Sequence, residues 1–183
     1  MARRKTIPDE QVLDALLETL MDVGPASLTF ARAATACGLS PATLVQRYGS
    51  RETLVQEILL RAWDRLDAET EAADAEEAPT PQGAIDLLMR LMPPETAERN
   101  ATDGLLLLRE DIRNPALRAR GAAWGRRLAE ALGRRLSEDP DEGRRLGWQM
   151  ASLWQGAHIW CAFTREEPAH LTVRRLLEGW LRG

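Results

Sequence analysis

The chain has 183 residues, of which 44% are apolar and 28% are charged, and its net charge is −4. This length suffices for one compact unit or two small helical lobes with a buried core. The longest plain apolar run, Leu105 to Leu108, is far shorter than the ~20 residues of a membrane span. The basic start Met1 to Lys5 is followed by Thr6 and Pro8 rather than by an apolar stretch, so we expect a cytoplasmic protein.

The composition predicts an all-α protein. Ala, Leu, Arg and Glu dominate, and all four are strong helix formers, whereas the residues typical of strands are scarce. Hydrophobic periodicity and stop signals predict about nine helices. Their expected bounds are Pro8–Val23, Phe30–Cys37, Pro41–Tyr48, a long helix from Arg51, then Gln82–Met92, Ala101–Arg113, Ala116–Leu136, Glu142–Phe163 and Leu171–Leu181.

The sequence also predicts the cap of the first helix and a boundary between two lobes. Thr6 is expected to cap the first helix, with Pro8 in its first turn. The acidic, proline-containing stretch 73–81 is expected to separate two lobes.

Residues 27–51 predict a helix-turn-helix. Thr29 opens a short helix, Gly38 supplies the left-handed turn that ends it, and Ser40 followed by Pro41 opens the next one. Small residues at 33, 34 and 37 allow two helices to pack closely, and a short connection containing glycine is typical of this motif. The second of the two helices is expected to present Ala42, Thr43, Gln46 and Arg47 outward, where a major groove could be read.

The charge distribution agrees with that interpretation although the total is acidic. Three basic residues and no acidic ones lie between Val23 and Arg51, and the N-terminal arm adds Arg3, Arg4 and Lys5. Seven acidic residues and one basic residue lie between positions 64 and 78. The positive potential is therefore concentrated at one end of the chain.

From Ile7 to about Leu60 the sequence resembles the DNA-binding domain of the TetR family of transcriptional regulators. The matching segments are "SLTFARAATACGLS", "PATLVQRYGS" and "RETLVQEIL". The resemblance implies a helix-turn-helix domain at 1–50 and a helical effector-binding and dimerisation domain at 51–183. It also implies a homodimer that binds a palindromic operator in double-stranded DNA, and regulation, most often repression, relieved by a small-molecule effector.

The resemblance also suggests which residues contact DNA. Thr43 and Arg51 match family positions that contact the DNA backbone, while Val45 departs from the aromatic residue that the family often has there, so Arg47 is a candidate to supply that contact. Gln46 could bond adenine with two hydrogen bonds. Tyr48 is either a packing residue or a phosphate contact, and Arg32 either a phosphate ligand or a surface charge. The complete predicted DNA-binding set is Thr29, Arg32, Ser40, Ala42, Thr43, Gln46, Arg47, Tyr48 and Arg51.

The C-terminal segments resemble the family's second domain only in outline. Met150, Trp154 and His158 recur every four residues and so form one helical stripe, which with Trp124 could line an apolar ligand pocket. Ordinary core packing explains the same pattern. Trp148, Trp160 and Trp180 lie in helices that pair subunits in the family, and they are the candidates for a dimer interface.

No nucleophile, phosphate-binding or metal-ligand pattern is present, so we expect no enzymatic activity, no cofactor and no bound metal.

The Trp and Met residues of the predicted eighth helix favour the hypothesis that the effector is apolar or amphipathic. The alternative function is a helical protein that binds a ligand or partner without regulating DNA.

Overall fold

The computed structural model describes residues 7–94 and 107–183, and in these residues the chain is all-helical, with nine α-helices and no strand. The all-α prediction is confirmed. The first six helices are α1 (Asp9–Val23), α2 (Phe30–Cys37), α3 (Pro41–Tyr48), α4 (Arg51–Glu76), α5 (Pro81–Arg90) and α6, whose described part is 107–113. The last three are α7 (Pro115–Leu136), α8 (Pro140–Thr164) and α9 (Ala169–Arg182). The predicted Thr6 cap, the basic arm and the predicted start of the sixth helix at Ala101 lie outside the described residues.

The helices form two compact units. Among the described residues, unit 1 comprises 7–65 and 107–118, and unit 2 comprises 66–94 and 119–183. The packing boundary thus falls after Arg65, inside α4, whereas the division proposed from the sequence, 1–50 and 51–183, concerns function and stays a prediction.

The core of unit 1 is built from apolar residues of α1 to α4. Helix α2 contributes the small buried residues Ala33 and Ala34. The fully buried leucines and isoleucine come from α1, the segment before α2, α3 and α4: Leu16, Leu20, Leu28, Leu44, Leu54 and Ile58. The helix α1 begins one residue later than predicted, because Pro8 occupies the N-cap position and makes no side-chain cap. Asp9 and Glu10 in its first turn favour the positive end of the helix dipole.

The helix-turn-helix has the predicted bounds, because short-range capping signals determine them. The Thr29 hydroxyl oxygen accepts from the Arg32 backbone N–H at 3.3 Å, and the Ser40 hydroxyl oxygen accepts from that of Thr43 at 3.1 Å. Gly38 ends α2 with φ of 69°, a conformation that residues with a Cβ resist.

The prediction that residues 73–81 separate two lobes was wrong. The helix α4 continues through Glu76, and the whole stretch belongs to unit 2. Asp74 is paired with Arg134 and Arg135, which neutralises part of the acidic run and lets it remain helical.

Unit 2 has its own core, which α8 crosses along one face. Met150, Trp154 and Cys161 of α8 pack with Leu87 and Leu88 of α5 and Val173 and Leu177 of α9. Glycines bring α7 and α8 into backbone contact: a Cβ at Gly147 would lie 2.0 Å from the carbonyl oxygen of Ala129. This crossing fixes the face that α8 buries.

Candidate nucleic-acid interface

The outer face of α3 is the candidate reading surface of unit 1. Ala42, Val45 and Gln46 are exposed there, while Leu44 is fully buried and anchors the helix in the core. Residues 42, 45 and 46 lie on one face because positions three and four apart are neighbours on a helix. This face carries no charge and offers methyl groups and one amide.

Val45 is the residue of this face that sequence reasoning did not assign to the site. It is 45% exposed, so its methyl groups are accessible on the outer face of α3. The sequence did hold one signal for this exposure: Val45 directly follows the core residue Leu44, so the two side chains point in different directions on the helix. An apolar group at such a place can contact the methyl group of thymine.

Arg47 does not project from this face as predicted. Its Nη1 donates to the Ile7 carbonyl oxygen at 3.1 Å and to Asp9 Oδ1 at 3.2 Å. The side chain is only 20% exposed, and it ties the end of α3 to the start of α1. This contact spans 38 residues of sequence, so no local pattern could have indicated it.

Tyr48 is buried and joins the same network. Its hydroxyl donates to Asp9 Oδ1 at 3.1 Å. The pKa of Tyr48 is raised to about 12, most strongly by burial of the hydroxyl and next by its hydrogen bond to the Asp9 carboxylate. Of the two alternatives left open by the sequence, this geometry favours packing.

Arg51 is engaged with the turn that precedes α2. Its Nε donates to the Leu28 carbonyl oxygen at 2.8 Å, and its Nη2 donates to the Pro25 carbonyl oxygen. Its Nη1 lies 3.6 Å from a Glu52 carboxylate oxygen. Arg51 therefore holds the 25–28 segment against the start of α4, and its phosphate contact stays a prediction.

The remaining predicted contacts lie at the helix starts. Thr29, Arg32 and Ser40 are exposed, and Thr43 is half-buried. Ser40 and Thr43 share a hydroxyl–hydroxyl hydrogen bond of 2.8 Å in addition to the cap. Arg32 is exposed, and its Nη1 donates to the Ser27 carbonyl oxygen over a long distance of 3.4 Å.

The predicted ligand-binding residues of unit 2 lie in or beside its core. Met150, Trp154 and His158 are buried on α8, and the Trp154 and His158 rings are 6.4 Å apart. Trp124 is half-buried and donates from Nε1 to the Thr70 hydroxyl at 2.9 Å. Within residues 7–94 and 107–183 the buried Nε1 of Trp154 has no hydrogen-bond partner, which is unusual for a tryptophan inside a protein.

The predicted dimer residues divide into two groups. Trp148 and Trp160 of α8 are exposed, whereas Trp180 of α9 is half-buried and packs against the core of unit 2. Trp160 is 68% and Phe163 71% exposed, and their rings lie 5.7 Å apart. Leu171 and Leu176 add exposed apolar surface on α9.

The described residues contain neither a metal-binding cluster nor a helix that could span a membrane. Within 7–94 and 107–183, no three His, Cys, Asp or Glu side chains are grouped so that they could hold a metal ion. No helix in those same ranges combines the length and the apolar character needed to cross a membrane.

Comparison with known proteins identifies the fold. No protein-family model and no curated protein matches the sequence. Solved structures do match over nearly the whole chain. A TetR transcription regulator from Haloarcula marismortui is 17% identical with a TM-score of 0.76, covering 94% of this chain and 95% of its own. The chain has the TetR-like fold.

Two further structures show how widely this fold is shared. A TetR-like regulator from Rhodococcus is 17% identical with a TM-score of 0.68, covering 97% of this chain and 100% of its own. A putative transcriptional regulator from Saccharomonospora viridis, solved in complex with choline, is 16% identical with a TM-score of 0.75 and covers 94% of each chain. The TetR-like fold agrees with the resemblance of residues 7–60.

Proposed function

We propose that the protein is a one-component transcriptional regulator that binds operator DNA through α3. The observation that carries the proposal is the uncharged outer face of α3, with Ala42, Val45 and Gln46 exposed on a capped helix-turn-helix. A capped helix of this kind fits the major groove with its N-terminal part against the base edges. The TetR-like fold and its occurrence among transcriptional regulators support the same function.

Each group of the outer face has a specific role in this proposal. The Gln46 amide pairs with N6 and N7 of adenine, and Ala42 and Val45 contact thymine methyl groups. Arg32, Thr29 and Ser40 lie at the helix starts, where backbone phosphates are contacted. Phosphate contacts set the register of the protein on DNA, and the three residues of α3 select the sequence.

Substituting Val45→Glu is expected to lower the affinity for operator DNA at least about tenfold, because it places a carboxylate between the helix and the phosphates. The matched control is Ile112→Glu, which adds the same charge at a residue of unit 1 that is 57% exposed and lies outside α3. Fluorescence anisotropy with labelled duplex measures both. Equal losses for the two variants would contradict the assignment of α3.

We propose that the protein acts as a homodimer through α8 and α9. These two helices expose five large apolar residues, and the rings of two of them, Trp160 and Phe163, lie 5.7 Å apart: Trp148, Trp160, Phe163, Leu171 and Leu176. Trp and Phe are enriched at the centres of interfaces. A two-fold dimer requires a palindromic operator whose half-sites are about 34 Å apart or a multiple of that.

Trp160→Glu is expected to raise the dimer dissociation constant by about thirtyfold, which is the loss typical of a buried interfacial tryptophan. Sedimentation velocity over a concentration series measures the dissociation constant, with Ile112→Glu again as the control for added charge. An unchanged dimer in the Trp160→Glu variant would place the interface elsewhere.

We propose further that unit 2 binds a small apolar or amphipathic effector, and that its binding releases the DNA and relieves repression. Met150, Trp154 and His158 supply an apolar and aromatic lining, and the unpartnered indole N–H of Trp154 suits a ligand that carries a hydrogen-bond acceptor. The choline complex of a similar fold supports the idea of a small-molecule ligand.

Ligand screening by thermal unfolding tests the effector proposal, because a ligand that binds only the folded chain raises its apparent stability. A genuine effector must also weaken operator binding, since the coupling between two sites is reciprocal. A compound that stabilises the protein but leaves its DNA affinity unchanged would be a ligand and not an effector.

A further inference from the structure

The Asp9 carboxylate at the start of α1 is not explained by helix formation alone. Helix α1 gains from acidic residues in its first turn, but Glu10 provides the same charge one residue later. Asp9 differs from Glu10 in its partners, since Oδ1 accepts from both Arg47 at 3.2 Å and Tyr48 at 3.1 Å.

These contacts draw the one guanidinium of α3 away from the outer face of the helix. Arg47 Nη1 is shared between the Asp9 carboxylate and the Ile7 carbonyl oxygen, and the side chain is mostly covered. A carboxylate oxygen and a phosphate oxygen both accept a charge-assisted hydrogen bond from a guanidinium, and Asp9 Oδ1 accepts one from Arg47 Nη1. Asp9 therefore occupies Arg47 as a DNA phosphate would.

The Asp9 carboxylate is placed to compete with a DNA phosphate for Arg47, because its own side chain is 68% exposed although that of Arg47 is only 20% exposed. An ion pair with an exposed partner contributes little to stability. Stability therefore does not account for the pair, whereas its effect on charge does, because it neutralises one positive charge on α3.

We infer that Asp9 limits the sequence-independent affinity of the protein for DNA by pairing with Arg47. The inference rests on the proposed function and adds to it a residue that is not itself a DNA contact. A free Arg47 would neutralise one more phosphate in each subunit, which strengthens binding to every sequence. With Arg47 paired, binding depends more strongly on the base contacts of Gln46 and Val45.

The test compares Asp9→Asn with Glu10→Gln, which removes the same charge from the same helical turn without touching Arg47. Binding to a random-sequence duplex is measured across a series of salt concentrations. Asp9→Asn is expected to raise the affinity and to steepen the slope of log K against log salt by about 0.9 for each subunit. Glu10→Gln is expected to leave the slope unchanged. Thermal unfolding confirms that each variant is folded.

The Arg47→Ala variant, alone and combined with Asp9→Asn, completes a double-mutant cycle. Alone it is expected to change random-duplex affinity little, but combined with Asp9→Asn it is expected to remove the gain. Equal slopes for Asp9→Asn and Glu10→Gln, or a gain that persists without Arg47, would overturn the inference while DNA binding itself remains. Absence of DNA binding in the wild-type protein would instead overturn the proposed function.

Discussion

Replacing Gly147 with alanine is expected to lower the free energy of unfolding by about 3 kcal/mol, the upper part of the range for overpacking a tight site. The added Cβ would lie 2.0 Å from the Ala129 carbonyl oxygen and 3.1 Å from the Gly133 backbone nitrogen. Both atoms belong to the backbone of α7, so no side-chain rotation relieves the contact and the two helices must separate. The higher helix propensity of alanine returns only about 1 kcal/mol of this loss.

Gly179→Ala is the matched control for this experiment. A Cβ at this exposed position of α9 would meet no atom of the described residues within 4 Å. We expect no loss of stability, and a gain of at most about 1 kcal/mol from the higher helix propensity of alanine. Urea unfolding followed by tryptophan fluorescence suits both variants, because five of the six tryptophans lie in unit 2. A Gly147→Ala protein as stable as wild type would mean that α7 and α8 are not in backbone contact.

Arg135→Met is expected to destabilise unit 2 by about 3 kcal/mol, because this guanidinium satisfies several groups at the end of α4. The Arg135 side chain is 5% exposed. It donates to the carbonyl oxygens of Asp74, Glu77 and Ala78 and to the Asp74 carboxylate at 2.5 Å. Carbonyl groups at a helix end have no partner within the helix, so loss of Arg135 removes the donor that the Asp74 and Glu77 carbonyl oxygens use, whereas that of Ala78 still accepts from the Thr80 backbone N–H.

The neighbouring Arg134 provides the control, since it binds the same Asp74 carboxylate at 2.6 Å but is 61% exposed. Arg134→Met is expected to change stability by less than about 1 kcal/mol, as is usual for an exposed ion pair. The same urea unfolding experiment compares the two. Similar losses for both variants would show that charge pairing with Asp74, and not the buried capping of α4, accounts for the effect.

The sequence predicted those parts of the fold that short-range signals determine. Thr29, Gly38, Ser40 and Pro41 act within four residues of the helix ends that they define, and α2 and α3 have the predicted bounds. The end of α4 was not predictable in this way. Its acidic last turns are stabilised by Arg134 and Arg135, which lie about 60 residues away along the chain.

The candidate site illustrates the same limit. Periodicity placed Gln46 and Ala42 on the outer face of α3, and the structure has both exposed. It could not show that Arg47 and Tyr48 turn toward Asp9, or that Arg51 binds the 25–28 turn, because those partners are 23 to 39 residues distant. Charged residues near a predicted DNA-reading helix are therefore weak evidence for phosphate contact until their internal partners are known.

Selection of bound duplexes from a randomised library at moderate salt tests the central claim most directly. We expect one enriched palindrome, with half-sites about one helical turn apart or a multiple of that, and loss of the enrichment in the Val45→Glu variant. Adenine or thymine preferences within each half-site would identify the bases that Gln46 and Val45 contact. A folded, dimeric protein that enriches no sequence would contradict the account and would favour a helical protein that binds a ligand or partner without reading DNA.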